Sequence, residues 1–156
     1  MSGGFPWLEF LGLVLAGVLA GEELIVRYGV HPALGALKDV RMAVTARQAL
    51  VRRLRIVVPA IMVPTVLLGL AVLVFGGSGP GLNLRWIATM ALVAFVGLSF
   101  LGTVPINIRV NDWDPEAPPA DWKDVVRRWE FIDIFRSSAA LLAFVFYLAA
   151  MAVQQV

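Results

Sequence analysis

The chain has 156 residues, 60% of them hydrophobic, and a mean hydropathy of +0.83, which is too apolar for an ordinary soluble domain and places it in the membrane class. Thirteen basic against eleven acidic side chains leave a formal charge of +2, and the basic residues do not form the face of a soluble nucleic-acid module, so no nucleic acid is expected as a partner. The absence of cysteine excludes disulfides, thiolate metal sites and cysteine nucleophiles.

The N-terminus, MSGGFPWLEF, has no positively charged leader, so the first apolar run is read as a retained span over residues 7–28. About 20 helical residues cross a hydrocarbon core, and a helix pairs every backbone group inside lipid. Trp7 and Tyr28 suit the two interfaces. Gly17, Ala20 and Gly21 form a small-residue patch for close helix packing. Glu9 is expected among headgroups, and Glu22 at the interface or a packing surface. Glu23 and Arg27 are four apart and can pair on one helical face, with His31 four further on. Ionisable groups at membrane depth are functional-site candidates, although near a span's end they also reach water by snorkelling.

His31-Pro32 ends this helix or starts another. Residues 32–53 mix Leu34, Leu37, Met42, Ala46 and Leu50 with Lys38, Arg41, Arg47, Arg52 and Arg53, which predicts an interfacial amphipathic helix. Arg47 and Gln48 belong to its solvated face unless they turn into the bundle. The second span, 54–75, contains Pro59 and Pro64, which predict a bend. The turn GGSGPG at 76–81 follows, without the lysine and hydroxyl of a phosphate loop. The third span, 84–106, starts at an interfacial Arg85-Trp86 and meets an end or kink at Pro105. Its Ser99 and Thr103 can bond carbonyls or a neighbouring helix. Asn107, Arg109 and Asn111 alternate with Ile108 and Val110, the pattern of a short extended segment. Trp113-Asp114-Pro115 and Pro118-Pro119 make a stiff turn, and Asp121 has helix-capping character. The last helix begins near Trp122, with its apolar body over 131–153. Trp129, Asp133 and Arg136 share a face there, with Glu130 beside it.

The expected architecture is all-α: a four-transmembrane-helix bundle with an additional amphipathic helix between spans one and two, in a single integral membrane domain over residues 1–156. Lys and Arg concentrate in the 29–53 and 107–128 loops, whereas the middle turn with the start of span three has only Arg85. The positive-inside bias puts both loops in the cytoplasm and both termini outside. A bacterial cytoplasmic membrane is the expected location, with membrane lipids as surroundings and a homo-oligomer or accessory partner left open.

The stretch GTVPINIRVNDWDP, then PPADW, then RRWEF and Arg136 resembles the DUF1772 family of small integral membrane proteins, which includes anthrone oxygenase-like proteins. The matching residues are Pro105, Asn107, Trp113, Asp114, Pro115, Pro119, Asp121, Trp122, Arg128, Trp129, Glu130 and Arg136. The family pattern often has histidine where this chain has Asp133. The resemblance implies oxidation of a polycyclic phenolic anthrone to a quinone without an obvious organic cofactor.

The residue types fit such chemistry at an apolar aromatic, anthrone- or quinone-like small molecule. Asp133, Glu130, Glu23 or His31 can move a proton. Arg136, Arg109 or Asn107 can stabilise an oxyanion, and Trp129 and Trp113 can pack against a planar ring. The expected catalytic set is Glu23, Glu130, Asp133 and Arg136. The expected substrate-binding set is Arg27, Asn107, Arg109, Trp113 and Trp129, with His31 as the candidate cofactor-binding residue. The cofactor is unassigned: none at all, a haem, or a divalent metal are all compatible with one histidine and no cysteine. The alternative is a structural or accessory membrane protein, or a lipid or small-molecule binder, in which the same polar residues specify packing.

Overall fold

The structure, a computed structural model, describes residues 6–154. Its helices are α1 (Pro6–Ile25), α2 (His31–Gly35), α3 (Val40–Phe75), α4 (Leu82–Leu98), α5 (Val104–Asn111) and α6 (Trp122–Val153). No strand occurs among the described residues. Two five-residue π-helical turns, Val26–Val30 and Ser99–Thr103, join α1 to α2 and α4 to α5. Three helical segments are long and apolar enough to cross a membrane: Val40–Phe75, Leu82–Asn111 and Trp122–Val153. Helix α1 is excluded from that set by Glu9, Glu22 and Glu23, which fall together in each of its long windows.

Both π turns have the same local cause. Each ends one residue before an X-Pro step, at His31-Pro32 and Val104-Pro105. Proline has no N–H for the carbonyl four residues back, and the helix widens so that the preceding residue's N–H reaches one position further. His31 N–H thus bonds Val26 O, and Val104 N–H bonds Ser99 O. The second turn falls within the apolar segment Leu82–Asn111, and a bilayer offers no water to a freed carbonyl, so a helix there adjusts rather than ends.

Several sequence expectations are corrected here. The amphipathic helix expected over 32–53 is no separate element, because α3 runs unbroken from Val40 through Pro59 and Pro64 to Phe75. Asp39 starts it by accepting a 2.9 Å hydrogen bond from Met42 N–H. The extended segment expected at 107–111 is helical, since the π turn carries the helix past Pro105. Asp121 stands at the N-cap of α6 but makes no side-chain cap bond, and its carboxylate holds Arg109 at 2.6 Å instead. Glu9 has a partner within the chain that the sequence did not reveal: it lies 3.6 Å from Arg85, whose side chain is 1% exposed.

Helix α6 packs against α4 and α1, α1 against α3, and α3 against α4. Two apolar cores result. One gathers Leu19, Met62, Leu92, Phe95 and Ala140 between the long helices. The other, toward the 112–121 loop, gathers Val44, Val51, Val110, Trp113, Val126 and Trp129, with Trp122 packed against it. Gln48 and Arg47 are buried here rather than solvated. Gln48 Nε2 donates to the carbonyls of Val110 (3.1 Å) and Trp113 (2.8 Å), adding a side-chain donor from α3 at the end of α5, where carbonyls lack their regular helical donors.

Small residues set the close approaches in the first core. A Cβ at Gly69 would meet Tyr147 Oη and lie 3.1 Å from Leu92 Cδ1, while Tyr147 shares a 3.0 Å hydroxyl hydrogen bond with Thr89. Gly69→Ala is therefore expected to destabilise the fold by about 1–3 kcal/mol. Thermal unfolding in detergent checks this, and the loss should shrink when Tyr147→Phe removes the clashing hydroxyl.

Candidate functional site

Between the two cores lies a cavity of about 180 Å³. Its inner wall is polar: Glu22 and Glu23 from α1, Asn107 and Asn111 from α5, and Asp133 and Arg136 from α6. Met62 closes it toward one core, and Val51 and Trp129 close it toward the other. Val26, Ser99, Phe100 and Thr103 belong to the two π turns, so the widened backbone borders the cavity on two sides. Arg55, Pro59, Phe100, Val104 and Ile108 also line it and are exposed. They lie on α3 and on the α4–α5 segment, so the cavity opens through the seam between those helices. Pro59 has no N–H, and it leaves the carbonyl of Arg55 without its helical donor beside this mouth.

The buried charges form one cluster. An Arg136 Nη2–Glu23 Oε1 ion pair ties α6 to α1. Arg136 Nη1 lies 3.5 Å from Asp133 Oδ1 and donates to Thr103 Oγ1 at 3.2 Å. The guanidinium also sits 5.1 Å over the Phe95 ring. Glu23 and Asp133 are each 1% exposed. Behind Asp133, His31 Nε2 lies 3.3 Å from Oδ2, without the alignment of a hydrogen bond. The imidazole meets the Trp129 ring edge-on, with centroids 5.1 Å apart. Glu23 Oε2, both Asp133 oxygens, Asn107 Oδ1 and Asn111 Oδ1 are buried and have no hydrogen-bond partner. Buried polar atoms in folded proteins are overwhelmingly paired, so this wall of acceptors is suited to a ligand that donates hydrogen bonds.

The expected site residues divide cleanly. Glu23, Asn107, Trp129, Asp133 and Arg136 converge on the cavity. His31 does not line it, but stands behind Asp133. Arg27 points away, donating to Ser137 Oγ at 3.2 Å and stacking on Tyr28 at 4.9 Å. Arg109 is held at the surface by Asp121. Trp113 is buried in the loop-side core. Glu130 is half-buried and faces the charge of Arg47, away from the cavity. No group of three or more His, Asp or Glu placed to hold a metal ion occurs among the described residues. The sequence reading missed the cavity-lining places of Glu22, Arg55 and Asn111. Asn111 had a usable signal, since a helical register puts it four residues after Asn107 on the same face.

A family model described as anthrone oxygenase matches residues 48–146. The chain belongs to the anthrone oxygenase family. The matched segment contains the cavity-lining residues Arg55, Asn107, Trp129, Asp133 and Arg136. Glu22, Glu23 and His31 precede the matched segment. No curated protein and no solved structure matches the chain.

Removing one member of a buried ion pair leaves an uncompensated charge, which costs about 3–5 kcal/mol. Arg136→Ala should lose stability on that scale, because Glu23 and Asp133 both lose their cation. In the Glu23→Gln background the same substitution should cost clearly less, as thermal unfolding of the four proteins of the cycle will measure.

Proposed function

We propose that this protein is a membrane-embedded oxygenase that converts an anthrone-like aromatic to the corresponding quinone. The observation that carries the reading is the cavity itself: Asp133 and Arg136, both inside the family-matched segment, stand together at the inner end of a chamber whose mouth, apolar apart from Arg55, faces outward between helices. An apolar aromatic dissolved in the bilayer would enter through that seam. An enclosed apolar cavity of about 150 Å³ accepts a benzene ring, so a chamber of about 180 Å³ holds one ring of a fused system with a margin. The remaining rings would lie along Pro59, Phe100, Val104 and Ile108 in the mouth.

The reaction consumes one dioxygen and releases one water per anthrone. Asp133 takes a proton from the ring methylene: both of its oxygens lack a hydrogen-bond partner, whereas Glu23 has one oxygen bonded by Arg136 and only Oε2 free. The conjugate oxyanion develops against the Arg136 guanidinium. Dioxygen oxidises this electron-rich anion and adds at the same carbon. The resulting peroxide takes up the proton from Asp133. Loss of the second methylene hydrogen as a proton then expels the distal oxygen as water and leaves the quinone carbonyl. Glu130 and Arg109 take no part, because they lie away from the cavity.

The same reading includes four membrane spans. Helix α1 has 20 residues, about 30 Å at the helical rise and sufficient for a hydrocarbon core. Its exposed residues, Trp7, Phe10, Leu11, Val14, Val18 and Ile25, are all apolar, while its glutamates face Arg85 and Arg136. A span can hold charges that are turned inward and paired. With basic loops on the cytoplasmic side, both termini lie outside, as in a bacterial cytoplasmic membrane.

Purified protein with anthrone under oxygen is expected to form anthraquinone, with Asp133→Asn lowering kcat/KM by about 10²- to 10⁴-fold. Glu130→Gln and Arg109→Ala should stay within about twofold of the parent. Failure of the intact protein to turn over any member of an anthrone panel would sink the oxygenase reading. The chain contains no cysteine, so single introduced cysteines report topology directly. Cysteines at 38 and 117 should label from one side of sealed vesicles and a cysteine at 79 from the other.

A further inference from the structure

Arg55 is the one cation of the cavity wall that has no ion-pair or hydrogen-bond partner among the described residues. The other, Arg136, is committed to Glu23, Asp133 and Thr103. The two arginines also mark opposite ends. Arg136 is buried at the acidic inner wall, while Arg55 is exposed beside Pro59 at the mouth. The cavity is therefore polar in a directed sense. Its inside presents the carboxylates of Glu22, Glu23 and Asp133 together with the unpaired amide oxygens of Asn107 and Asn111. Its mouth presents a free guanidinium, which binds carboxylates through paired N–H donors.

We infer that Arg55 is a specificity-determining residue, and that the cavity takes a fused-ring phenol bearing a carboxylate on the ring that lies in the mouth. This rests on the reading of the cavity as a ligand site and adds to it the class and orientation of the ligand. A carboxylate could not enter ring-first toward Glu23 and Asp133 without like-charge repulsion at close range. It could lie against Arg55, and the neutral, hydroxyl-bearing ring would then face the acceptors inside. Charge so fixes which end of a nearly symmetric tricycle reaches Asp133.

An arginine at this depth also suits a lipid phosphate, which offers the same oxyanion chemistry. The test separates the two. Binding of anthraquinone and of anthraquinone-2-carboxylate is read by tryptophan quenching in phosphate-free maltoside micelles, since Trp129 lines the cavity. The parent protein should prefer the carboxylate, and Arg55→Gln should weaken it about tenfold while moving anthraquinone by less than about twofold. Arg55→Lys should restore part of the preference. Anthraquinone-2,6-dicarboxylate, with an anion at each end, should bind worse than the monoacid. Equal changes for both ligands in Arg55→Gln, no change for either, or a dicarboxylate bound as tightly as the monoacid would each overturn the inference. So would an Arg55→Gln protein that keeps the carboxylate preference but loses co-purified phosphatidylglycerol, which would mark Arg55 as a headgroup contact. Binding is read without turnover, so a protein that discriminates through Arg55 yet oxidises no anthrone sinks the oxygenase reading and leaves this one standing.

Discussion

The ion pair between Glu23 and Arg136 is the constraint on which the rest of the structure depends. It joins α1 to α6, and it places both charges where neither could stay alone. Asp133 and Thr103 complete the shell around the guanidinium, so three segments of chain are held by one side chain. Buried ion pairs stabilise little against an apolar alternative, but they cost heavily when half of one is missing. The cluster thus acts on specificity of packing: α1 can turn about its axis only by taking Glu23 away from its cation.

A second constraint comes from proline. Pro32 and Pro105 each follow a π turn, and Pro59 lines the same cavity as both turns. A widened turn moves side chains away from the regular helical surface and leaves neighbouring helices unable to close on it. The cavity lies where these local departures meet. Hydrophobic packing above and below, through Met62 on one side and Trp129 on the other, keeps the space from collapsing. Irregular backbone at membrane depth persists only where it borders protein or a cavity, and here it borders both.

Much of this was legible in the chain. Helical spans follow from long apolar runs, and the shared face of Trp129, Asp133 and Arg136 follows from spacings of four and three. Both features are local and periodic. The errors have a common origin in the residues that punctuate helices. Asn107, Arg109 and Asn111 alternate as in a strand, yet the π turn before Pro105 carries the helix through them. Arg47, Gln48, Arg85 and Glu9 looked like interfacial groups. Partners elsewhere in the chain reach three of them: carbonyls at and just past the end of α5 for Gln48, and each other for Glu9 and Arg85.

The amino-acid sequence by itself determined the helical class, the apolar segments and the set of polar residues able to do chemistry, because periodicity and composition act over a few turns of one helix. Tertiary structure alone decided which of those residues meet. Glu23 and Arg136 are 113 positions apart, and His31 and Asp133 are drawn from opposite ends of the chain. It also removed Arg27, Arg109, Trp113 and Glu130 from the cavity and admitted Glu22, Arg55 and Asn111. The rotation of each helix about its axis settles this division, and that rotation is set by packing against neighbours that no local pattern encodes.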